Sequence, residues 1–175
     1  SLYYMQDLNT HGNWLVRKVM HVDYDKREII FTAGGKEKGN PYHVYLYKVN
    51  FNGDNLICLT PETGSHSINP SPNWGYFVTT YSTTKIAPKS ILKDREGKTL
   101  LQLSSSNSDD LKSNGWQEPL EFNVKARDDK TDLYGLMYIP SFYDKNDNAI
   151  AFKGSINESM TGWTKQGNNI SVYCS

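Results

Sequence analysis

Four histidines are the side chains of this sequence best suited to acid–base or metal chemistry near neutral pH: His11, His21, His43 and His66. His66 lies between two hydroxyls in the segment Gly64-Ser65-His66-Ser67, an arrangement that suggests a nucleophile beside its base. Neighbouring residues of an extended chain point to opposite sides, however, so we predict that this segment is a turn with a packing role. No two histidines have the spacing of a metal site, and we predict neither a metal nor a cofactor.

Two carboxylate pairs and two cysteines are the next candidates. Asp109-Asp110 and Asp128-Asp129 occupy polar turns, where consecutive carboxylates are usually solvated, so we predict no acid–base role for them. Cys58 and Cys174 match no metal or redox spacing. The nucleophile elbow Gly-x-Ser-x-Gly does not occur in the 175 residues. We therefore predict that the chain carries no catalytic residue.

A glycine-rich loop and a group of tyrosines suggest binding instead. Gly34 and Gly39 are spaced as in a phosphate loop, but Asn40-Pro41 follows where that motif needs Lys and Ser or Thr, so we predict a loop between strands. The tyrosines at 42, 45 and 47 could line a binding face, or they could pack inside a sheet together with His43. Packing is the interpretation that we favour.

The composition is that of a polar globular protein, with 37% hydrophobic and 22% charged residues. Lys plus Arg and Asp plus Glu both total 19, so the formal net charge is zero. Nucleic acids and anionic membranes bind clustered basic charge, so we predict neither as a partner. No apolar run approaches the roughly 20 residues of a membrane-spanning helix, and the first residues lack the features of a signal peptide.

Strand patterns dominate the first hundred residues and occur twice in the same order. The first set has strands at residues 28–33, 42–49 and 56–60, with Asn52-Gly53 as the hairpin turn. The second set has strands at residues 76–81, 90–93 and 98–103, with Glu96-Gly97 as the turn. The two sets are offset by about 45 residues, the period of propeller blades. We predict an all-β fold, a partial β-propeller of about two four-stranded antiparallel blades over residues 1–105.

After the second set the pattern changes. A polar linker with a short helix into Leu111 spans residues 106–118, and a β-hairpin with strands at residues 120–126 and 132–140 lies within residues 119–144. Residues 145–175 form an irregular C-terminal segment that stays unassigned, apart from a strand at residues 170–173.

Several segments, in order, resemble the dipeptidyl peptidase IV-like branch of the prolyl oligopeptidase (S9) serine peptidase family. Gly12-Asn13-Trp14 resembles the start of a blade in that family, and Leu59-Thr60-Pro61, Gly64-Ser65-His66-Ser67 and Ser71-Pro72 resemble the approach to its last full blade. Tyr81-Ser82, Pro88 and the turn at residues 94–97 continue the likeness. Ala126-Arg127-Asp128, Leu133-Tyr134-Gly135 and Tyr138-Ile139-Pro140 resemble the first hairpin of its α/β-hydrolase domain.

The departures from the family limit what the resemblance implies. Residues 146–175 hold no Tyr-Gly-Gly-Pro-like strand end, and the regions of the nucleophile, the Asp and the His of the triad are missing. The paired glutamates that bind the amino terminus of a substrate lie in earlier propeller sequence. No functional residue of the family is therefore carried over to this chain.

The resemblance implies a non-catalytic part of a secreted or periplasmic serine exopeptidase that releases N-terminal dipeptides after Pro or Ala. The chain would gate substrate access and pack against its partners, the remaining blades and the hydrolase domain, with a peptide as the substrate of the whole enzyme. The alternative is a stand-alone, non-enzymatic binding module. Two blades leave unpaired strand edges, so we also expect edge pairing, either between copies as a homo-oligomer or with the folded-back C-terminal segment.

Overall fold

The computed structural model describes residues 14–138, together with the backbone of three strands at residues 153–155, 160–166 and 169–174. The chain divides into two compact units, residues 1–107 and residues 108–175. No helix among the described residues is long and apolar enough to cross a lipid bilayer.

The first unit contains two four-stranded antiparallel sheets, each with its strands in sequence order, which confirms the partial propeller. The first sheet consists of β1 (Leu15–Asp23), β2 (Glu28–Gly34), β3 (Tyr45–Asn50) and β4 (Ile57–Cys58). The second sheet consists of β5 (Ser65–Pro70), β6 (Tyr76–Ser82), β7 (Lys89–Asp94) and β8 (Thr99–Ser105).

Two predicted strands are shorter than expected. The strand predicted at residues 42–49 begins only at Tyr45, because Asn40 closes a turn in which its side chain accepts the Tyr42 amide and its carbonyl accepts the His43 amide. The strand predicted at residues 56–60 reduces to Ile57–Cys58. Thr60 still joins β3, because its Oγ1 accepts the amide of Leu46 at 2.8 Å.

The first strand of each sheet was not among the strands placed by the sequence pattern. The prediction of a turn around His66 is wrong. The segment is the start of strand β5, whose six residues pair with β6. The segment after Trp14 forms the nine-residue strand β1. Exposed polar residues such as Ser65 and Ser67 interrupt the apolar pattern of β5, which concealed the strand.

The apolar residues of the first sheet divide between its two faces, as period-two alternation requires. One face buries Ile29, Phe31, Ala33, Tyr45, Tyr47 and Val49. The other face contributes Ile30 and Leu46 to a core shared with Leu59, Trp74 and Phe77, which belong to the connector and to the second sheet. This shared core joins the two sheets, and burying each of its large side chains contributes about 1.5–3 kcal/mol.

The second unit starts with the short helix α1 (Asp109–Ser113), as predicted, followed by the predicted hairpin of β9 (Leu120–Lys125) and β10 (Asp132–Tyr138). Phe122 lies opposite Gly135 and covers it, so that a Cβ at Gly135 would stand 2.3 Å from the Phe122 ring. Strand β11 (Lys153–Ser155) adds to β10, and β12 (Met160–Gln166) pairs with β13 (Asn169–Cys174). The strand predicted at residues 170–173 is thus confirmed as β13, whereas β11 and β12 were not predicted.

Candidate functional site at the junction of the two sheets

His66 has a hydroxyl partner, but it is neither of its sequence neighbours. Its Nδ1 lies 2.8 Å from Thr79 Oγ1 on the adjacent strand, and its Nε2 lies 2.7 Å from the carbonyl oxygen of Glu62. Because a carbonyl can only accept, Nε2 carries the proton and Nδ1 accepts the hydroxyl proton of Thr79. Ser65 and Ser67 are exposed, since alternate residues of a strand point to opposite faces.

The arrangement of Thr79 and His66 is that of a nucleophile and a base, but it is closed to any substrate. Thr79 is fully buried and His66 is 7% exposed, with the imidazole stacked on Tyr81 at 5.1 Å between ring centroids. Burial lowers the pKa of His66, because it penalises the charged imidazolium. The pair therefore links β5, β6 and the connector between the sheets, which confirms a packing role.

The other histidines that the structure describes also pack against aromatic rings. His21 stacks on Trp74 at 5.3 Å between ring centroids, and His43 meets the edge of Tyr45 at 6.5 Å. His11 lies outside the described residues. No group of three or more His, Cys, Asp or Glu residues in the described part of the chain is placed to hold a metal ion.

The tyrosines at 42, 45 and 47 do not form a binding face. Tyr45 and Tyr47 are 3% and 1% exposed, and only Tyr42 reaches the surface. The loop from Gly34 to Gly39 contributes to this packing, because Glu37 accepts the hydroxyl of Tyr47 at 2.9 Å. Burial raises the pKa of Tyr47, so its phenol stays protonated.

Neither carboxylate pair forms an acid–base site. Asp109 and Asp110 are exposed in the first turn of α1. Asp128 closes the hairpin turn and accepts the hydroxyl and the amide of Thr131 at 2.6 and 2.8 Å, which lowers the pKa of its carboxyl to about 2. Cys58 is a free thiol whose pKa is raised by burial, so it is a poor nucleophile.

A network of buried charges joins the two sheets. We call it the charged seam, and it comprises Asp23, Glu28 and Lys48 of the first sheet with Arg95 and Glu96 of the last hairpin of the second. Arg95 Nη2 donates to Asp23 Oδ2 and to Glu28 Oε2, both at 2.7 Å. Lys48 Nζ lies 2.5 Å from Glu96 Oε2 and 3.5 Å from Glu28 Oε1. The cations are the most buried members, with side chains 5% exposed in Lys48 and 9% in Arg95.

The pairing keeps the acids of the charged seam ionised. The pKa of Asp23 is lowered chiefly by the backbone amide of Lys26 and further by the charge of Arg95. Burial alone would raise the pKa of Glu28, but the hydrogen bond from Arg95 and the charges of Lys48 and Arg95 outweigh it and lower the pKa. Both acids are therefore held as carboxylates that neutralise the buried cations.

A third buried cation lies beside the charged seam. The side chain of Lys93 is 2% exposed, and its Nζ donates to Glu62 at 2.6 Å and to the carbonyl of Gly97 at 3.1 Å. Gly97 has a φ of +81°, and a Cβ there would lie 2.8 Å from the carbonyl oxygen of Leu59. The last hairpin of the second sheet thus fits directly against the connector, and only glycine permits this approach.

The charged seam is a structural site. Each of its two cations binds two carboxylates, with at least one of them from the other sheet, and the packing of the two sheets buries both cations. Sequence analysis did not find it, because its residues are spread from Asp23 to Glu96. A signal was present: Lys48 occupies an inward position of a strand pattern that otherwise calls for an apolar residue.

Comparison with known proteins matches this architecture to one family. The sequence pattern of the dipeptidyl peptidase IV N-terminal region matches residues 5–88. No curated protein sequence matches the chain. Among solved structures, dipeptidyl peptidase 4 of Porphyromonas gingivalis superimposes with a TM-score of 0.60 at 19% identity, over 77% of this chain. A candidate dipeptidyl aminopeptidase IV of Bacteroides ovatus gives 0.58 at 26% identity, also over 77% of this chain.

The chain spans about one fifth of the length of these two proteins, 19% in each case. The likeness therefore concerns one portion of these longer proteins. Residues 5–88 are thus similar in sequence to the dipeptidyl peptidase IV N-terminal region, and the first unit has the fold of a partial β-propeller.

Proposed function

We propose that this chain is a non-catalytic, substrate-gating and domain-packing portion of a dipeptidyl peptidase IV-like serine exopeptidase. In this proposal residues 1–105 are propeller blades, residues 106–118 a linker and residues 119–144 the first hairpin of a hydrolase domain. The whole enzyme would release N-terminal dipeptides after Pro or Ala, in the periplasm or outside the cell. The observation that carries the proposal is the succession of two four-stranded antiparallel sheets, which begins within the residues 5–88 that match the family.

The charged seam supports a scaffold role. A wall that restricts access to an active site must hold its sheets at a fixed angle, since a loose joint would open a second path for longer peptides. Buried ion pairs with two or more partners are directional, so they fix the register of one sheet on the next in a way that apolar packing alone does not. Arg95 and Lys48 each bind two carboxylates and supply this constraint.

The surroundings of His66 support the absence of catalysis in this portion. His66 has a hydroxyl at hydrogen-bond distance, but its Nε2 proton is committed to the carbonyl of Glu62. A general base must meet its substrate, and a side chain that is 7% exposed, stacked on Tyr81 and in contact with Tyr45, does not. We therefore expect hydrolysis to require residues beyond this chain.

The test is a comparison of two purified proteins on a Gly-Pro chromogenic substrate. One is the 175-residue chain, and the other is the product of the complete reading frame that encodes it. We expect hydrolysis by the complete product, sensitive to a serine-directed inhibitor, and none by the chain. Inhibitor-sensitive hydrolysis by the chain itself would overturn the non-catalytic assignment. A reading frame that ends at Ser175 and lacks a Gly-x-Ser-x-Gly elbow would overturn the peptidase assignment.

That second outcome would favour the alternative, a stand-alone binding module. The burial of Tyr45 and Tyr47 weighs against this alternative, because the tyrosine-rich strand that it invokes has its rings in the core.

A further inference from the structure

The joint between the two sheets of the first unit has two ends that differ in their chemistry. In the first sheet the charged seam lies where β3 ends, because Lys48 is near the end of that strand and Glu28 pairs with its last residue, Asn50. In the second sheet the charged seam lies where β7 ends, because Arg95 directly follows Asp94. The charged seam therefore occupies one end of the joint.

We call the other end of the joint the aromatic end, and it comprises Tyr45, His66, Thr79 and Tyr81. Tyr45 is the first residue of β3, and Tyr81 lies five residues along β6 from Tyr76, which pairs with the last residue of β7. At about 3.4 Å per residue, roughly 17 Å of β6 separates the two ends. The imidazole of His66 contacts the rings of Tyr45 and Tyr81 at 5.5 and 5.1 Å between ring centroids.

His66 connects three parts of the structure at the aromatic end. Its amide donates to the carbonyl of Val44 at 2.9 Å, directly before β3 begins. Its ring binds the carbonyl of Glu62 in the connector through Nε2, and it accepts the hydroxyl of Thr79 on β6 through Nδ1. A change in the protonation of this ring therefore acts on the first sheet, the connector and the second sheet together.

The hydrogen bonds of the ring fit a neutral imidazole. Protonation places a second N–H on Nδ1, directed at Thr79 Oγ1, so the Thr79 hydroxyl loses this acceptor for its own proton. Thr79 has no exposure to water, which therefore does not replace the acceptor, and an unpaired buried hydroxyl destabilises the closed arrangement. Burial of the ring adds a desolvation cost for the imidazolium.

The charged groups that face His66 do not offset these costs. Glu62 of the connector favours the imidazolium, but its Oε1 is already bound to Lys93 Nζ at 2.6 Å. Lys93 of β7 and His43, which precedes β3, both disfavour a positive charge on the ring. From β3 and β6 the ring faces two tyrosine rings and the Thr79 hydroxyl. The closed aromatic end therefore favours the neutral form of His66.

We propose that the joint between the two sheets is a proton-operated hinge, in which protonation of His66 releases the aromatic end in mildly acidic solution while the charged seam holds the other end. The charged seam stays ion-paired under these conditions, because the pKa values of Asp23 and Glu28 are lowered. The angle between the sheets then changes with pH although the sheets stay joined. This hinge is a property of the fold, and it does not depend on the peptidase assignment.

The experiment is residue-resolved hydrogen exchange by NMR on the intact chain at about pH 7.5 and about pH 5.5, with each rate divided by its intrinsic value at that pH. The reporters are the amide of His66 at the aromatic end and the amide of Arg95, which donates to the carbonyl of Gly75 at 3.0 Å. The open state has the ordinary histidine pKa of 6.5 and the closed state a lowered one, so the opening equilibrium at His66 should rise by up to about tenfold at the lower pH. We expect the Arg95 amide to stay better protected than the His66 amide there.

His66→Gln is the test variant, because a glutamine amide can donate to Glu62 and accept from Thr79 but is not protonated in this pH range. We expect the rise in the opening equilibrium at residue 66 to disappear in this variant. His21→Gln is the matched control, since His21 also stacks on an aromatic ring at the joint, that of Trp74 at 5.3 Å between ring centroids. We expect the control to keep the rise.

Three results would overturn the hinge. The first is an opening equilibrium at His66 of the unmodified chain that is the same at both pH values. The second is a rise that persists in His66→Gln or that is lost equally in His21→Gln. The third is equal protection of the His66 and Arg95 amides at the lower pH, because the two ends of the joint then open together. The first and third results need no variant, so the proposal stays testable even where a substitution impairs folding.

Discussion

Arg95→Met is the substitution that should most clearly reveal what the charged seam contributes to stability. Arg95 is 9% exposed, and one nitrogen, Nη2, holds both Asp23 and Glu28 at 2.7 Å. Methionine retains most of the apolar stem of arginine and removes the charge. The substitution therefore leaves two carboxylates in the joint without their principal cation, while the volume of the core changes little.

The expected loss follows from the geometry. Removing one partner of a buried ion pair costs about 3–5 kcal/mol, because the remaining charge stays desolvated. The carboxylate side chains of Asp23 and Glu28 are 16% and 17% exposed, so some water reaches them, and Lys48 stays 3.5 Å from Glu28. We therefore expect the lower end of that range, about 3 kcal/mol, or roughly a hundredfold in the unfolding equilibrium of the first unit.

Hydrogen exchange under increasing urea is the suitable assay, because it reports separately on peptides from the two units. Peptides of β2 and β7 should lose protection at lower urea in Arg95→Met, whereas the hairpin of β9 and β10 should not change. Lys112→Met is the control, since the Lys112–Glu118 pair has a similar distance of 2.7 Å but side chains 47% and 31% exposed. We expect no measurable change from this substitution, because exposed pairs contribute little.

A double-mutant cycle makes the reasoning refutable. Adding Glu28→Met to Arg95→Met removes a carboxylate that the first substitution left without its closest cation. The double variant should therefore be at least about 1.5 kcal/mol more stable than the sum of the single losses implies. A loss in Arg95→Met no larger than in Lys112→Met, or a coupling near zero, would refute a stabilising role for the charged seam.

Two further predictions concern the connector between the sheets. In urea unfolding, Gly97→Ala should destabilise the first unit by more than about 1 kcal/mol beyond the loss caused by Gly39→Ala. Both residues have positive φ, but only a Cβ at Gly97 meets a backbone oxygen, at 2.8 Å. Equal losses of stability in the two variants would contradict the close approach at Gly97. Burial lowers the pKa of His66, so the unfolded chain binds more protons, and stability should fall as the pH drops below the ordinary histidine value of 6.5. His66→Gln should reduce this dependence between pH 7 and 5.5, and an unchanged slope would contradict the assignment.

Most of the fold could be predicted because strands and turns have local signatures. Alternation placed β2, β3, β6 and β7, and the glycine of each hairpin placed its turn, since Gly53 and Gly97 both adopt positive φ. The first strand of each sheet was harder to predict. In β5, exposed serines and Asn69 alternate with His66, Ile68 and Pro70, so no apolar row marked the buried side.

The junction could not be predicted for a different reason. The charged seam joins residues 72 positions apart, Asp23 and Arg95, and such a pairing depends on how one sheet stacks on the next rather than on local pattern. A packing role for His66 could be predicted because sequence neighbours in an extended chain point to opposite sides, so neither Ser65 nor Ser67 could be its partner. Its actual partner, Thr79, lies on the neighbouring strand, in a place that only the register of β5 against β6 defines.

The repeat explains how a charged joint arises between two sheets of similar build. Both sheets are built on the same hairpin, yet the residues at its tip differ: Arg95 and Glu96 occupy the positions that Phe51 and Asn52 occupy in the first sheet. The tip of the second hairpin contacts the first sheet, and its charges stabilise this contact because the first sheet presents opposite charges there. The second hairpin finds them in Asp23, Glu28 and Lys48. In this pair of sheets the hairpin tip of the second and the face of the first that receives it are therefore matched in charge.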